Sequence, residues 1–454
     1  MSERKLFGTD GIRGKANIYP MTSEVATALG RAVTYYFQKK SGNEKRPLVI
    51  VGKDTRLSCY MLEQAFASGV CSQGGKVIFT GPLPTPGVAF VTNSMRADAG
   101  VMISASHNNF DDNGIKLFDA EGFKLPDEVE LILEDLVLNP EKILPKTGGD
   151  IGRAKRLEGV DGRYIVHVKT ALAHEYDLAG MRVVVDCANG ASYKVAPMVL
   201  SELGAEVFSL GVSPNGENIN LNCGSLHTEL ACTEVSKLRA DIGFCLDGDA
   251  DRIQVIDKNG EVIDGDKLIG IMAKSMLAKG ELKKGDTVVG TVMSNIGLEL
   301  YIQSLGLKFH RTKVGDRYIM EFMRDNGSKL GGEPSGHIIF FDHATTGDGT
   351  LAALKTVEAT KFFEKEIDEL ASEIDLFPQI LKNIRVGEKR PLGELKDLQA
   401  GIVEANKKLN GKGRVVIRYS GTESLARVMV EGEKEKEVNQ ICDDLIQILK
   451  KELG

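Results

Sequence analysis

Tryptophan is missing from this chain of 454 residues, and aromatic residues make up only 6% of it. A protein that reads nucleic acid by stacking bases on aromatic rings needs more of them. A formal net charge of −7 adds repulsion from phosphate backbones, so nucleic acid is not an expected partner. Cysteine is scarce: 7 in all, an odd number, with no C-x-x-C pair. That excludes a disulfide frame or a zinc ribbon and leaves reduced thiols. No apolar run approaches the roughly 20 residues of a membrane span. The opening stretch, MSERKLFGTDGIRG, carries no apolar signal region. No membrane partner is expected, and the expected location is the cytoplasm.

What is present is glycine, 50 of 454 residues, alongside 42% apolar and 27% charged residues. The balance is that of a globular protein, and the glycine excess points to tight turns and close backbone approach to a ligand. The length implies several domains. The first stretch alternates helix and strand signals. TSEVATALGRAVTYYFQ follows Pro20 with Thr22 as a predicted N-cap, PLVIVGKDTR reads as a buried strand, MLEQAFASGVCSQGG as a helix and KVIFTGPLPTP as another strand. This rhythm predicts an α/β fold with a mostly parallel sheet, whose ligands gather at the carboxyl ends of the strands. The rhythm restarts at residues 181–210 and again at 285–316, and RADAG at residues 96–100 is echoed by RADIG at 239–243. Three related α/β domains are predicted, over residues 1–157, 158–258 and 259–374. A small α+β domain follows over 375–454. LFPQILKNIRVGEKR reads as the linker into it, with GRVVIRYS and ARVMVEGE as strands and KEVNQICDDLIQILKKEL as a terminal amphipathic helix.

Four loops carry chemistry. In GVMISASHNNFDDNGIKLF a core strand runs straight into hydroxyls, an imidazole and amides, which is either a turn or a rigid mount for a nucleophile. LDGDADRI offers Asp247, Asp249 and Asp251 at alternate positions, and alternation in an extended segment aims them to one side. Three converging carboxylates call for a hard divalent cation, and Arg252 beside them suits a phosphate. An EF-hand is excluded, because its sixth position here is Arg252 and its twelfth Lys258. GGEPSGHIIF is either a polar turn or a sugar reader in which Glu333 and Ser335 bond adjacent hydroxyls. RYSGTES brings Arg418, Ser420, Thr422 and the backbone N–H groups around Gly421 into an anion nest. FGTDGIRG is a further glycine-rich loop, with Arg13.

Taken together and in order, SASHN, DGDADR, GEPSGH and RYSGTES resemble the signature loops of the α-D-phosphohexomutases, and the resemblance covers the whole chain. It implies four domains around a central cleft, one loop from each. It implies that Ser106 is a phosphorylated nucleophile whose phosphate joins Asp247, Asp249 and Asp251 in holding Mg²⁺. Lys116 and Arg252 would stabilise the transferring phosphoryl group, with His107 and Arg13 in the same pocket. Arg418, Ser420, Gly421 and Thr422 would hold the phosphate that is not reacting, and Lys313 and His337 would serve proton transfer or substrate contact. A bisphosphosugar would be the intermediate and activator. FGTDGIRG, KVGDRY and RVMVEG are most similar to the branch that interconverts glucosamine 6-phosphate and glucosamine 1-phosphate, so a hexosamine phosphate is the expected substrate. Pro334 departs from that branch, where Gln is usual. The competing readings are a glucose- or mannose-phosphate mutase, a metal-dependent sugar phosphatase, and a binding protein without activity. A monomer or homodimer is expected.

Overall fold

The computed structural model describes residues 5–8, 10–42, 45–419 and 425–454. Four sheets follow one another along the chain. The first has six strands in the spatial order Ile12–Lys15, Asp112–Phe118, Ala99–Ile103, Leu48–Lys53, Lys76–Pro82 and Arg153–Arg156. Its centre is parallel, Leu48–Lys53 pairing with Lys76–Pro82 on one side and Ala99–Ile103 on the other. Asp112–Phe118 runs antiparallel to Ala99–Ile103 and to Ile12–Lys15, so the sheet is mixed. All five residues of Ala99–Ile103 are buried, as the unbroken apolar run requires of a strand covered on both faces. The helix Ser23–Lys40 begins as expected, with the Thr22 hydroxyl accepting from the Val25 N–H.

The second sheet orders Val262–Ile263, Ile253–Ile256, Ile242–Leu246, Arg182–Asp186 and Glu206–Leu210. The sequence reading ended this domain at 258, inside a hairpin. Val262–Ile263 pairs with Ile253–Ile256 and belongs to the second sheet. The turn between them centres on Lys258 and Asn259, with the Gly260 N–H donating to the Asp257 carbonyl and Gly260 at φ +85°, a conformation glycine adopts without steric cost. The third sheet orders Lys308–Thr312, Thr287–Thr291, Leu330–Gly332 and Ile338–Phe340.

The last sheet has three antiparallel strands, Gln379–Arg385, Leu425–Gly432 and Gly413–Tyr419. The stretch expected to be a linker thus contains a strand, Gln379–Arg385, in register with Leu425–Gly432 over all seven of its residues. Burial alternates along it, but Leu381 faces solvent and Lys382 takes an inner position, which breaks the alternation in the sequence. The helix Glu435–Leu453 lays Val438, Ile441, Cys442, Leu445, Ile446, Leu449 and Leu453 on this sheet at helical spacing. Burial of each aliphatic side chain there contributes about 1.5–3 kcal/mol. This domain has its own apolar core, separate from the larger one that runs through the second and third sheets. It is joined to the third domain by polar contacts. Asn295 exchanges two side-chain hydrogen bonds with the backbone of Phe377, at 2.8 and 3.0 Å, the Ile296 N–H donates to the buried Glu431 at 3.4 Å, and Gln379 Nε2 donates to the Met293 carbonyl at 3.2 Å. Among the described residues no helix is long and apolar enough to cross a membrane.

Candidate active site

The strand Ala99–Ile103 ends and the chain turns at once, with Ser106 at φ +54°, a conformation serine rarely adopts. Ser106 is buried, and its hydroxyl donates to Asp247 Oδ2 at 2.6 Å. Its backbone N–H donates to the Ser104 hydroxyl at 2.9 Å, which in turn donates to Asp54. Ser104 had no role in the sequence reading; it braces the turn.

Asp247 follows directly on the strand Ile242–Leu246. The three aspartates converge, with one carboxylate oxygen from each within 4.8 Å of the others. The expected mechanism was strand alternation, but residues 247–251 form a turn, with Ala250 at φ +56°. Curvature, not pleat, brings the carboxylates together. Burial, then repulsion from Asp251 and Asp249, pushes the Asp247 carboxyl well above its ordinary range. Among the described residues, Asp249 Oδ1 and Asp251 Oδ1 are buried without a hydrogen-bond partner. Orphaned carboxylate oxygens in a crowded acidic turn fit a hard divalent cation, so the triad can hold a metal ion.

Cations surround the triad. Lys116 Nζ lies 2.9 Å from Asp249 Oδ2, 3.2 Å from Asp251 Oδ2 and 3.3 Å from Asp10 Oδ2. Burial opposes its charge, yet Asp10, Asp249 and Asp251 raise its pKa well above the ordinary value. Arg252 Nη1 lies 3.1 Å from His107 Nδ1, which is 3.3 Å from the Ser106 oxygen. Burial, with Arg252 and Arg13 adding repulsion, pulls the His107 pKa down to about 4, so the ring is neutral near pH 7.

A cleft of about 500 Å³ opens above these groups and draws residues from all four domains. Asp10 and Arg13, Asp251 and Arg252, Glu333 and His337, and Arg418 all line it. Ser106, Lys116, Asp247 and Asp249 are buried, and Ser106 is linked through His107 to Arg252 in the lining. Glu333 Oε1 accepts from the Gly315 N–H at 3.0 Å, tying the sugar loop to KVGDRY. Ser335 Oγ is buried without a partner. His337 Nε2 lies 3.0 Å from the Gly347 N–H and 3.4 Å from Asp316 Oδ2. Lys313 is exposed with its ammonium over the Tyr318 ring; its neighbours Val314 and Gly315 line the cleft instead. Arg418 faces Arg427 across the antiparallel pair, and burial together with that like charge lowers its pKa. Ser420, Gly421 and Thr422 lie outside the described residues.

Sequence reasoning missed a chain of charges along one wall. Asp10 accepts from Arg13 and Lys124, and Lys124 reaches Asp316 at 2.6 Å. Asp10 and Asp316 stood inside quoted motifs, FGTDGIRG and KVGDRY. Only the basic residue of the first had been weighed.

Four segments of the chain match phosphoglucomutase/phosphomannomutase: alpha/beta/alpha domain I over residues 4–143, domain II over 162–260, domain III over 264–377 and the C-terminal domain over 381–448. The chain belongs to the phosphoglucomutase/phosphomannomutase family. Within it, the chain is 52% identical over 452 residues to phosphoglucosamine mutase of Pelobacter propionicus, covering 99% of both chains. It is 50% identical over 452 residues to phosphoglucosamine mutase of Geobacter sp. strain M21, again covering 99% of each. Among solved structures, a phosphoglucomutase/phosphomannomutase family protein of Burkholderia thailandensis aligns with a TM-score of 0.82 at 23% identity, over 98% of this chain and 97% of that one. Aspergillus fumigatus N-acetylphosphoglucosamine mutase, solved with GlcNAc-6P and magnesium, aligns with a TM-score of 0.71 at 19% identity, over 100% of this chain and 96% of that one. These two structures share the fold of the family.

Proposed function

We propose that this chain interconverts glucosamine 6-phosphate and glucosamine 1-phosphate, with Ser106 carrying the phosphoryl group between the two positions. The observation that carries the reading is the hydrogen bond from the buried Ser106 hydroxyl to Asp247, which joins a strained serine to an acidic triad beneath the cleft. The amino-sugar assignment is supported by relatives of about half identity over the full length, each named phosphoglucosamine mutase.

Phosphoryl transfer leaves a protein little covalent work beyond alignment and charge neutralisation. In the forward half-reaction the P–O bond to Ser106 breaks as one forms to the free hydroxyl of the monophosphosugar. The bisphosphosugar turns over in the cleft, and Ser106 recovers a phosphoryl group from the other end. Asp247, Asp249 and Asp251 would hold Mg²⁺, which when bound supplies positive charge for the transferring oxygens. Lys116, fixed by three carboxylates, keeps its proton and adds a charge on the same side. Arg252 and Arg13 line the cleft, and Arg252 contacts His107 next to Ser106, so an incoming phosphate would meet both guanidinium groups. Glu333, with Ser335 and its unpartnered hydroxyl, would read the sugar. Arg418, which lines the cleft from the C-terminal domain, would grip the distal phosphate, and the loop expected to share that task includes Ser420, Gly421 and Thr422. His337, which lines the cleft, would serve substrate contact or proton transfer. Lys313 contributes less directly than its neighbours.

The test is turnover of glucosamine, glucose and mannose phosphates with Mg²⁺, followed for isomer and for free phosphate. The reading expects the highest kcat/KM for the amino sugar and no net release of phosphate. Preference for glucose or mannose phosphate would move the chain to another branch of the family. Steady phosphate release would make it a phosphatase.

A further inference from the structure

Asn220 belongs to the second domain and stands in none of the motifs above. Its side-chain amide Nδ2 donates to the carbonyls of Ser106 and Asn108, each at 2.9 Å. The same two carbonyls accept from Arg56 Nη2 of the first domain, also at 2.9 Å each. Arg56 Nη1 donates to the Asn109 and Asp112 carbonyls, and its Nε holds Asp54 at 2.8 Å. This guanidinium has no solvent exposure. Five donor directions of a planar fork are thus spent on one loop and the carboxylate that braces it, which a flexible ammonium would not reproduce.

The grip has an electrostatic consequence. Carbonyl oxygens carry negative partial charge and would repel a phosphoryl group on Ser106. Here they are turned towards two donors from opposite domains. A trans peptide is planar, so holding the Ser106 C=O against the clamp points the His107 N–H the other way. That N–H makes no hydrogen bond among the described residues. The metal loop closes over the arrangement: a Cβ on Gly248 would lie 2.5 Å from the Ser106 carbonyl oxygen and 2.9 Å from Asn220 Nδ2. The two domains are also pinned beside it, Leu57 N–H donating to the Gly216 carbonyl at 2.9 Å.

We propose that Arg56 and Asn220 are positioning residues for phosphoryl transfer, clamping the Ser106 loop from two domains so that its oxygen faces the acidic triad and its carbonyls face away from the transferred group. The inference rests on the reading of Ser106 as the phosphoryl carrier.

Asn220→Gly tests it, because Asn220 sits at φ +57° and glycine keeps that backbone while removing both donors. Three quantities are measured: hydrogen–deuterium exchange of residues 105–112, steady-state kinetics with glucosamine phosphate, and the rate at which Ser106 gains phosphate from a hexose 1,6-bisphosphate, read by intact mass. The expected result is faster exchange in 105–112, with kcat and phosphate uptake both lower by about 10–10²-fold, the cost of a misplaced reacting group. KM should stay within about twofold, since the distal grip is untouched. Asn220→Ser, which restores one donor, should fall between. It is read in the same way if the glycine variant does not fold. Unchanged exchange and unchanged kcat overturn the clamp, as does a loss that appears wholly in KM. A wild-type chain that gains no phosphate on Ser106 would instead remove the carrier reading, and the exchange data would still decide whether Asn220 holds the loop.

Discussion

The Ser106 hydroxyl donates to Asp247 Oδ2 at 2.6 Å, across 141 residues of sequence and the boundary between two domains. Ser106 and the acidic triad come together only when both domains dock. Ser106→Ala should therefore remove turnover while sparing the fold. A lost hydrogen bond to one carboxylate costs about 1–3 kcal/mol. Turnover should drop by about 10³-fold or more, as for loss of a covalent carrier. Mass spectrometry of the wild-type protein should find phosphate on this serine. Near-normal isomerisation by the alanine variant would refute the role.

Asp249 is held by Thr85 at 2.6 Å and by Lys116 at 2.9 Å through one oxygen, while the other is buried without a partner. Asp249→Asn keeps the shape but removes the charge. Calorimetric titration with Mg²⁺ should show affinity weaker by at least about tenfold, and activity should need correspondingly more metal. Activity that survives chelation undiminished would count against the metal assignment.

The loops that bear charge or hydroxyls were legible in the sequence because their residue types are expensive to bury without a reason. Three aspartates in five residues, or a serine after Val101, Met102 and Ile103, demand an account. The parts that were not legible act through the backbone. Arg56 reads as an ordinary basic residue before a helix, and nothing local says that it will bond four carbonyls. Asn220 reads as a turn former for the same reason. The strand Gln379–Arg385 escaped because an exposed Leu381 and an inward Lys382 interrupt the apolar–polar alternation that its burial still follows. The aspartate loop was placed correctly for the wrong reason, since a turn and a strand can both converge alternate side chains.

Arg418 should act on binding first. It lines the cleft from the C-terminal domain and lies across the strand pair from Arg427. Arg418→Ala should raise KM by about tenfold or more and also lower kcat, because grip on the distal phosphate helps align the reacting end. Arg418→Lys should recover only part, since an ammonium lacks the bidentate fork. Unchanged kinetics in the alanine variant, or a substrate complex whose distal phosphate lies far from Arg418, would sink the assignment.

Asp266 supplies a pH dependence remote from the chemistry. It sits at the start of the helix Gly265–Ala278, under the junction with the C-terminal domain, and accepts from the Asn295 N–H at 2.7 Å. Burial pushes its carboxyl up to about 7. The Asn295 N–H and Arg311 act against the shift, and Asp264 and Glu431 add to it. In the unfolded chain the same group loses its proton near pH 4. Between these values the folded state binds the extra proton, so stability falls as pH rises from about 4 to about 7 and then levels. Asp266→Asn keeps an acceptor for Asn295 and cannot titrate. Its Tm should match that of the wild type near pH 4.5 and exceed it by roughly 5 °C near pH 8, as a few kcal/mol allows in a domain of this size. The extra stability should also slow hydrogen exchange at Asn295 and Phe377, whose mutual bonds tie the two domains. Parallel Tm curves for the two proteins across this range would show that Asp266 is ionised in the folded state throughout.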